Sequence, residues 1–246
     1  MTFTHYTTLE GLQNIISSQR WFLSRGDNES MNDQEECMYQ GNPEEWKKTF
    51  LLCFSATIKE NMAMWGLYGI PNNQAIRLQI PRKALFAWLA NIKEVESVQF
   101  VEGKISYQKT TELPKLQVHD IGYVSDHNIR TRQERILHTQ IKDFRNDHHM
   151  LTGYIKHVAW EYESEVRLHA TFKTIQDATH IALPVNHELL SSIRIMTGPN
   201  FTQEKELSQL LMDNGLDVIL EPSKFKGLLR YRSLCNSCVY TYQKSN

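Results

Sequence analysis

Short apolar segments, several of which alternate with polar residues, predict a chain built largely from β-strands. The predicted strands lie at 3–6, 21–24, 50–55, 75–80, 95–107 (one or two strands), 163–172, 192–197, 218–220 and 234–242. Alternation is clearest in 163–172, where Val166, Leu168 and Ala170 lie between polar or charged neighbours. Segment 50–55 is continuously apolar, which is typical of a strand buried on both faces.

Helical spacing of apolar residues predicts helices between these strands. Thr7 or Thr8 can cap the first helix, because a hydroxyl accepts a hydrogen bond from the first free helix amides. Its apolar face consists of Leu9, Leu12, Ile15 and Ile16. Further helices are expected at 61–68, 82–91 and 203–214, the last ending at Gly215, with a partly helical stretch at 44–48. The highly charged residues 126–150 predict a long exposed helix.

The order of these elements indicates the fold class. Strands dominate early and late in the chain, with helices inserted between them, which favours an α+β fold with a mixed or antiparallel sheet over a doubly wound fold. The chain has 246 residues, enough to bury a core without disulfides or metal. We therefore expect a single domain over 1–246, with a helical insertion near 126–150.

Composition and charge exclude some classes of protein. Lys and Arg number 27 against 28 Asp and Glu, so bulk positive charge cannot hold nucleic acid. No apolar run approaches the roughly 18 residues of a membrane span, so we expect no membrane partner. The first residues show no signal-peptide pattern, so we expect a cytoplasmic protein with reduced cysteines.

A local basic groove is still compatible with this balance. Seven basic residues are candidates for contacting a nucleic acid: Arg130, Arg132, Arg135, Lys224, Lys226, Arg230 and Arg232. An ordinary solvated surface explains the same charges at least as well.

Several common catalytic motifs are absent from the sequence. There is no phosphate-cradling G-x-G-x-x-G, no Walker loop and no G-x-S-x-G elbow. Cys235 and Cys238 form a lone C-x-x-C with no second pair of ligands, so we expect no metal site. Rossmann-type hydride transfer, P-loop phosphoryl transfer and α/β-hydrolase chemistry are therefore disfavoured.

Three groups of residues are candidates for chemistry. Strand alternation places Glu163, Glu165 and Arg167 on one face, where a carboxylate could grip a ribose hydroxyl and favour positive charge at the anomeric carbon. His5 and Tyr6 offer a hydrogen-bonding ring and a π face at the tip of the first strand. The third group, a plausible pocket wall, consists of Ser55 with Trp65 and Tyr68. Each group also has a purely structural explanation. The charged row can be the solvated face of an edge strand, His5 and Tyr6 can be a half-buried strand end, and the third group can be ordinary core.

An ordered series of motifs resembles a large, mostly bacterial family of unknown function. Its members open with H-Y-T-S-x-x-x-L and carry N-D-P, C-F-S, M-W and W-x-Y-E-x-E-W-R signatures. The chain matches over roughly 3–200 with H-Y-T-T-L-E-G-L from His5, W-F-L-S, M-N-D, C-F-S, M-W, Lys156 with Trp160, and E-x-E-V-R from Glu163. It departs at Gln34, where proline is usual, at Val166, where tryptophan is usual, and in the loop 70–75.

The beginning of that family is also similar to ADP-ribosyltransferases of the His-Tyr-Glu kind. This resemblance implies a split mixed or antiparallel sheet with inserted helices, and NAD as co-substrate without a metal. Glu165 would be the catalytic carboxylate. His5 would hold a ribose hydroxyl or the nicotinamide amide, and Ser24 would lie beside it. Tyr6, Trp65 or Tyr68 would stack on the nicotinamide ring, and Arg167 would pair with the pyrophosphate or lock Glu163.

The implied activity is NAD-dependent mono-ADP-ribosyl transfer to a macromolecular acceptor, either nucleic acid or protein. Such a transferase, which is a glycosyltransferase acting on NAD, suits a toxin or phage-defence effector with an antitoxin or inhibitor partner. Two alternatives are a non-enzymatic binding module with a degenerate pocket and a nucleic-acid-processing enzyme such as a nuclease. We expect His5 and Glu165 to line one cleft.

Overall fold

A computed structural model describes residues 1–28, 43–69, 74–101, 104–124 and 153–227. In chain order the elements are β1 Thr2–Thr8, α1 Leu9–Ser18, β2 Arg20–Arg25, α2 Pro43–Trp46, β3 Thr49–Ser55, α3 Met62–Gly69, β4 Ala75–Pro81, α4 Arg82–Ala90, β5 Glu96–Val101, β6 Lys104–Lys109, β7 Lys115–Asp120, β8 Gly122–Val124, β9 Ile155–His157, a 3-10 helix Val158–Glu163, β10 Glu165–Thr171, β11 His180–Pro184, α5 His187–Ser192, β12 Arg194–Thr197, α6 Glu204–Asp213 and β13 Leu220–Pro222.

Eleven of the described strands form one sheet, and β8 with β9 forms a separate parallel pair. The main path of the sheet runs β13-β12-β4-β1-β3-β2-β11-β5-β6, and β10 and β7 extend it from the other edge of β3. All pairings in this sheet are antiparallel except that of β12 with β13. The predicted α+β class with a split, mostly antiparallel sheet is confirmed.

The sheet splits at β3, which pairs with three strands. One edge of β3 pairs along its whole length with β10. The other edge is shared, because β1 pairs with it only at Ser55 and β2 only at Phe50 and Leu51. The edge of β3 between Leu51 and Ser55 therefore faces a gap between β1 and β2.

Most of the apolar core lies on one face of the sheet. Helices α1, α4, α5 and α6 pack there through Leu12, Leu85, Leu189 and Leu207. The strands supply alternate residues to this face, such as Phe54 of β3. Burying each such side chain stabilises the fold by about 1.5–3 kcal/mol. Helix α3 packs on the opposite face in a smaller cluster with Tyr6.

Many of the elements predicted from the pattern are present. Thr8 caps α1 by accepting a hydrogen bond from the Gly11 amide, and Gly215 follows α6 with a φ of 64°. The pattern did not predict β7, β8, β9, β11 or α5. The predicted helix at 126–150 and strand at 234–242 lie outside the described residues, as do the M-N-D motif, Cys235 and Cys238.

Within the described part of the chain, no helix has the length and apolar character needed to cross a membrane.

Candidate functional site

The start of β10 forms the centre of the candidate site. Ser164 separates the 3-10 helix from β10 and has a left-handed conformation, with a φ of 46°. The predicted strand over 163–172 therefore begins two residues late, at Glu165, and Glu163 ends the helix instead. Glu165 lies opposite Ser55, and Arg167 lies opposite Cys53. Because cross-strand partners share a face, these four side chains lie on the face away from the main core.

Four charged side chains form a buried cluster around Glu165. Arg167 donates from Nε to Glu165 Oε1 at 2.6 Å and from Nη2 to Oε2 at 3.1 Å. Lys156 Nζ donates to Glu165 Oε2 at 3.2 Å and to Glu163 Oε2 at 2.6 Å. Each of the four side chains is at most 5% exposed. Two carboxylates thus face two cations, and their mutual pairing compensates much of the cost of removing them from water.

The two carboxylates of this cluster have different acidities. Burial by itself would raise the pKa of Glu165, but the charges of Arg167 and Lys156 and hydrogen bonding lower it to about 2. Burial raises the pKa of Glu163, and Lys156 only partly opposes that effect. Oε1 of Glu163 has no hydrogen-bond partner among the described residues. Near neutral pH, Glu165 is therefore an ionised acceptor, whereas Glu163 is the carboxyl better suited to take up a proton.

An aromatic group borders the cluster on the same face of the sheet. The Tyr6 ring lies 4.9 Å from Trp65 in an edge-on contact and 6.5 Å from Tyr68. Burial and the charges of Glu163, Cys53 and Glu165 raise the pKa of Tyr68, which places its hydroxyl in the field of both carboxylates. The three predicted stacking residues therefore lie together.

Two other predicted residues lie near the same point. Ser55 is directly opposite Glu165 and is buried. Ser24 pairs with Leu51, so it shares the face of Glu165 but lies four residues further along β3 than Ser55. The structure therefore places Ser55 and Arg167 beside Glu165. Tyr6, Trp65 and Tyr68 form a group on the same face of the sheet, and Ser24 lies further away.

His5 does not share this face. Thr4 lies opposite Ser55, and alternate residues of a strand point to opposite faces, so His5 points toward the main core. Its ring lies 5.3 Å from Trp21 and 5.8 Å from Phe54, both core residues. His5 and Glu165 therefore point to opposite faces of the sheet. The expectation that they line one cleft is wrong.

His5 is connected to the site through Cys53. In the gap between β1 and β2, His5 Nδ1 donates to the Cys53 carbonyl at 2.8 Å. The Cys53 side chain points the other way, and its interaction with Glu165 helps to lower the pKa of that carboxyl. Burial, followed by the charge of Glu165, raises the pKa of the thiol well above its usual value. Cys53 is therefore a protonated thiol beside the carboxylate.

Arg167 differs from its expected role. It holds Glu165 rather than Glu163, and its Nη1 donates to the carbonyl of Gly153 at 3.0 Å. Gly153 has a φ of 79°, and a Cβ there would lie 2.9 Å from His169. Any side chain at this position would be strained and crowded, so glycine allows the backbone to approach His169 and Leu51 closely.

Two contributors to the site had no assigned role in the sequence. Lys156 lies in the three-residue strand β9, and its only local signal is a lysine within the apolar surroundings of Ile155 and Val158. Tyr123 lies 42 residues from Glu165 and accepts a hydrogen bond from the backbone amide of Glu165 at 2.7 Å. No local pattern could indicate Tyr123, because the pairing of β7 with β10 and of β8 with β9 brings it there.

His169, His119 and Tyr154 form a ring cluster next to Arg167 along β10. His169 follows on the same face of β10, and its ring stacks on Tyr154 at 4.3 Å and contacts His119 at 5.7 Å. Burial and the nearby charges of Arg167 and His119 lower the pKa of His169 to about 3. His169 is therefore neutral and adds no charge that would compete with Arg167.

The site as a whole presents an ionised carboxylate beside a second, more basic carboxyl and an aromatic wall. An ionised carboxylate can accept a hydrogen bond from a sugar hydroxyl and stabilise positive charge at the neighbouring carbon. In the part of the chain that the structure describes, no group of three or more His, Cys, Asp or Glu side chains is arranged to hold a metal ion.

No protein-family model and no curated protein matches the chain. Three solved structures of DarT from Thermus sp. 2.9 are similar to it, in complexes with carba-NAD+, with NAD+ and with ADP-ribosylated ssDNA. Their sequences are 10%, 12% and 10% identical to this one, with TM-scores of 0.37, 0.38 and 0.39. The similarity covers 91% of this chain and 94–95% of theirs. At this level the likeness says nothing of this chain's activity.

Proposed function

We propose that this protein is an NAD-dependent mono-ADP-ribosyltransferase with Glu165 as its catalytic carboxylate. The observation that carries the proposal is the ionised state of Glu165, whose pKa is lowered to about 2 beside an aromatic wall. The motif resemblance to ADP-ribosyltransferases of the His-Tyr-Glu kind supports the same assignment.

The proposed reaction breaks the bond between nicotinamide and ribose. The bonding electron pair leaves with the ring nitrogen of nicotinamide, and positive charge develops at the anomeric carbon. Glu165 accepts a hydrogen bond from the ribose 2′-hydroxyl and stabilises this charge more strongly in the transition state than in the bound substrate. An oxygen or nitrogen of the acceptor then bonds to the anomeric carbon and loses its proton.

The surrounding residues have separate roles in this proposal. Arg167 and Lys156 keep Glu165 ionised and fix its orientation. Tyr68, Tyr6 or Trp65 stacks on the nicotinamide ring, and Ser55 and Ser24 contact the dinucleotide. Glu163, with its raised pKa and an oxygen that has no described partner, is the group placed to take the acceptor's proton. His5 positions Cys53 and, through it, Glu165.

The acceptor is a macromolecule, either nucleic acid or protein. Of the basic residues that could contact nucleic acid, Lys224 and Lys226 are described, and Lys226 pairs with Glu204 at 2.6 Å. Arg130, Arg132, Arg135, Arg230 and Arg232 lie outside the described residues. The same proposal gives the protein a biological role as a cytoplasmic toxin or phage-defence effector. Its partner would be an antitoxin or inhibitor.

Incubation with NAD labelled in the adenine moiety tests the activity. We expect release of free nicotinamide and transfer of label to single-stranded DNA, RNA or protein when each is supplied in turn. Release without transfer to any of them would indicate NAD hydrolysis instead. Magnesium-dependent cleavage of RNA or DNA without NAD would favour a nuclease and contradict the proposal.

A non-enzymatic binding module is the second candidate function. The observation that favours it is the low exposure of Glu165, 5% of the residue, together with its complete set of ionic partners. Such a module would bind NAD or a related nucleotide without releasing nicotinamide. Equilibrium binding of NAD combined with the absence of nicotinamide release would therefore support the module over the enzyme.

A further inference from the structure

Arg77 is a buried cation on the same face of the sheet as Glu165. It is 1% exposed, and its nearest polar partners are neutral. Nη1 donates to the Tyr6 hydroxyl at 3.4 Å and to the carbonyl of Lys59 at 3.3 Å, and Nη2 contacts the sulfur of Met196 at 3.2 Å. Nε has no hydrogen-bond partner among the described residues.

Arg77 lacks an oppositely charged partner, unlike the other buried Lys, Arg and Glu side chains in the described part of the chain. Those other side chains each have such a partner within 4.0 Å: Lys156, Glu163, Glu165 and Arg167. A buried guanidinium without a counter-ion is costly, because its desolvation is not repaid by an ion pair. A buried cation with an unsatisfied N–H is therefore a candidate for binding an anion.

The position of Arg77 relates it to the proposed site. Arg77 lies opposite Tyr6 on β1, and Thr4 of β1 lies opposite Ser55, which in turn lies opposite Glu165. Three strand spacings of about 4.8 Å separate β4 from β10, and the two-residue offset from Tyr6 to Thr4 adds about 6.8 Å along the strand, so the two positions lie about 16 Å apart on the sheet. The aromatic group of Tyr6, Trp65 and Tyr68 lies between them.

The guanidinium lies directly beneath the protein surface. The Lys59 carbonyl contacts Nη1 from the 55–60 segment, and both Ile58 and Lys59 are exposed. A small displacement of this turn would expose Nε and Nη1 to a ligand. An incoming anion would replace two weak contacts with charge-assisted hydrogen bonds.

We propose that Arg77 binds the diphosphate of a dinucleotide whose anomeric carbon lies at Glu165. The identity of the dinucleotide rests on the proposed function, whereas the anion site rests on the unpaired guanidinium itself. Arg167 was expected either to bind the pyrophosphate or to lock Glu163, but its guanidinium holds Glu165. Arg77 supplies the cation that the site otherwise lacks, on the far side of the aromatic group.

Calorimetric titration of the whole chain with ADP-ribose and with inorganic diphosphate tests this assignment. We expect both probes to bind the wild type, and Arg77→Met to weaken both at least tenfold. Binding of nicotinamide, which carries no phosphate, should not change. The control is Arg194→Met, which removes an exposed arginine from the neighbouring strand β12 and should bind both probes as the wild type does.

Thermal unfolding separates binding from a structural role. Arg77→Met removes a buried charge that has no counter-ion and whose guanidinium lies 5.7 Å from the centre of the Tyr6 ring. We expect its Tm to be equal to or higher than that of the wild type, because a cation–π contact at this distance offsets little of the desolvation cost. If Arg77→Met is destabilised yet retains ADP-ribose binding, Arg77 is structural and the proposal is wrong. If the variant does not fold, Arg77→Lys replaces it. Loss of paired hydrogen bonds should then weaken ADP-ribose binding at least threefold, and unchanged affinity would overturn the assignment.

The outcomes also distinguish this inference from the proposed function. Arg77-dependent binding of ADP-ribose without nicotinamide release would leave the anion site standing and remove the transferase. If the wild type releases nicotinamide and Arg77→Met binds ADP-ribose as tightly as the wild type does, the proposed transferase activity is supported and the proposed anion site is rejected. No binding of either probe to the wild type would overturn the anion site outright.

Discussion

Arg167 donates two hydrogen bonds, at 2.6 Å and 3.1 Å, to the Glu165 carboxylate. One residue separates the two on β10. Side chains two residues apart share a face of a strand, so a guanidinium can reach back to a carboxylate on the same row. The resulting bidentate pair orients both carboxylate oxygens and keeps them ionised. Catalysis, stability and their pH dependence should therefore depend on this pair and on the lysine that joins it.

Glu165→Gln should abolish most of the proposed catalysis. The amide keeps the shape of the side chain but cannot supply negative charge to the developing cation, so nicotinamide release should fall about 10²- to 10³-fold. Chromatographic quantification of nicotinamide measures the effect. Glu161→Gln is the matched control, because Glu161 is exposed in the adjacent 3-10 helix. Equal rates for wild type and Glu165→Gln would reject Glu165 as the catalytic group.

Lys156→Met should destabilise the fold strongly. It leaves Glu163 and Glu165 with one cation between them in a buried setting, and breaking such a pair costs about 3–5 kcal/mol. Urea denaturation at neutral pH measures the loss. Lys109→Met is the control, because Lys109 pairs with Glu94 at the surface and exposed pairs contribute about 0–1 kcal/mol. Similar losses of unfolding free energy in both variants would show that the buried cluster stabilises the fold no more than an exposed ion pair does.

The stability of the protein should fall in acid because of Glu165. Its pKa in the folded state is about 2, below the ordinary 4.5, so its contribution is complete above pH 4.5 and is lost as the pH falls toward 2. At about 1.4 kcal/mol per pKa unit, the contribution is on the order of 3 kcal/mol. The raised pKa of Glu163 acts in the opposite direction.

Urea denaturation of wild type and Glu165→Gln at several pH values between 7 and 2 isolates this contribution. The difference in unfolding free energy between the two proteins should shrink as the pH falls below 4.5. A difference that stays constant over that range would show that Glu165 is not held ionised by its partners.

His5→Phe should separate a positioning role from direct substrate contact. Phenylalanine keeps the ring contacts with Trp21 and Phe54 but leaves the Cys53 carbonyl without its donor, which costs about 1–3 kcal/mol. His187→Phe is the exposed control and should leave stability nearly unchanged. We expect reduced stability and a lower kcat with little change in KM for NAD. A tenfold rise in KM with unaltered stability would instead place His5 on the substrate.

His5 also makes a pH-dependent contribution. Burial lowers its pKa below 6.5, opposed only partly by the hydrogen bond to Cys53. A histidine buried in its neutral form stabilises the fold above its unfolded pKa, and this contribution is lost as the pH falls through the folded-state value. The wild type should therefore lose more stability than His5→Phe when the pH is lowered from about 7.5 to about 5.5. Parallel stability curves for the two proteins over that range would contradict the burial of a neutral imidazole.

The amino-acid sequence by itself determined most of the local structure and the identity of the central carboxylate. Period-two patterning marked β10, and the caps of α1 and α6 followed from Thr8 and Gly215. These features depend on residues close together in the chain, where backbone geometry and burial are coupled. The sequence named Tyr6, Trp65 and Tyr68 as alternative stacking residues only through the family resemblance, and the packing of α3 on β1 brought them together.

The tertiary structure decided which of these residues meet. Strand register placed His5 on the core face and Arg77 on the face of Glu165, and a shift of one residue would have reversed both assignments. The folded chain also brought Lys156 to the Glu165 carboxylate and Tyr123 to the Glu165 backbone amide, each from another strand. Burial and charge at that point set the acidity of Glu165, and neither exists until distant strands pack together.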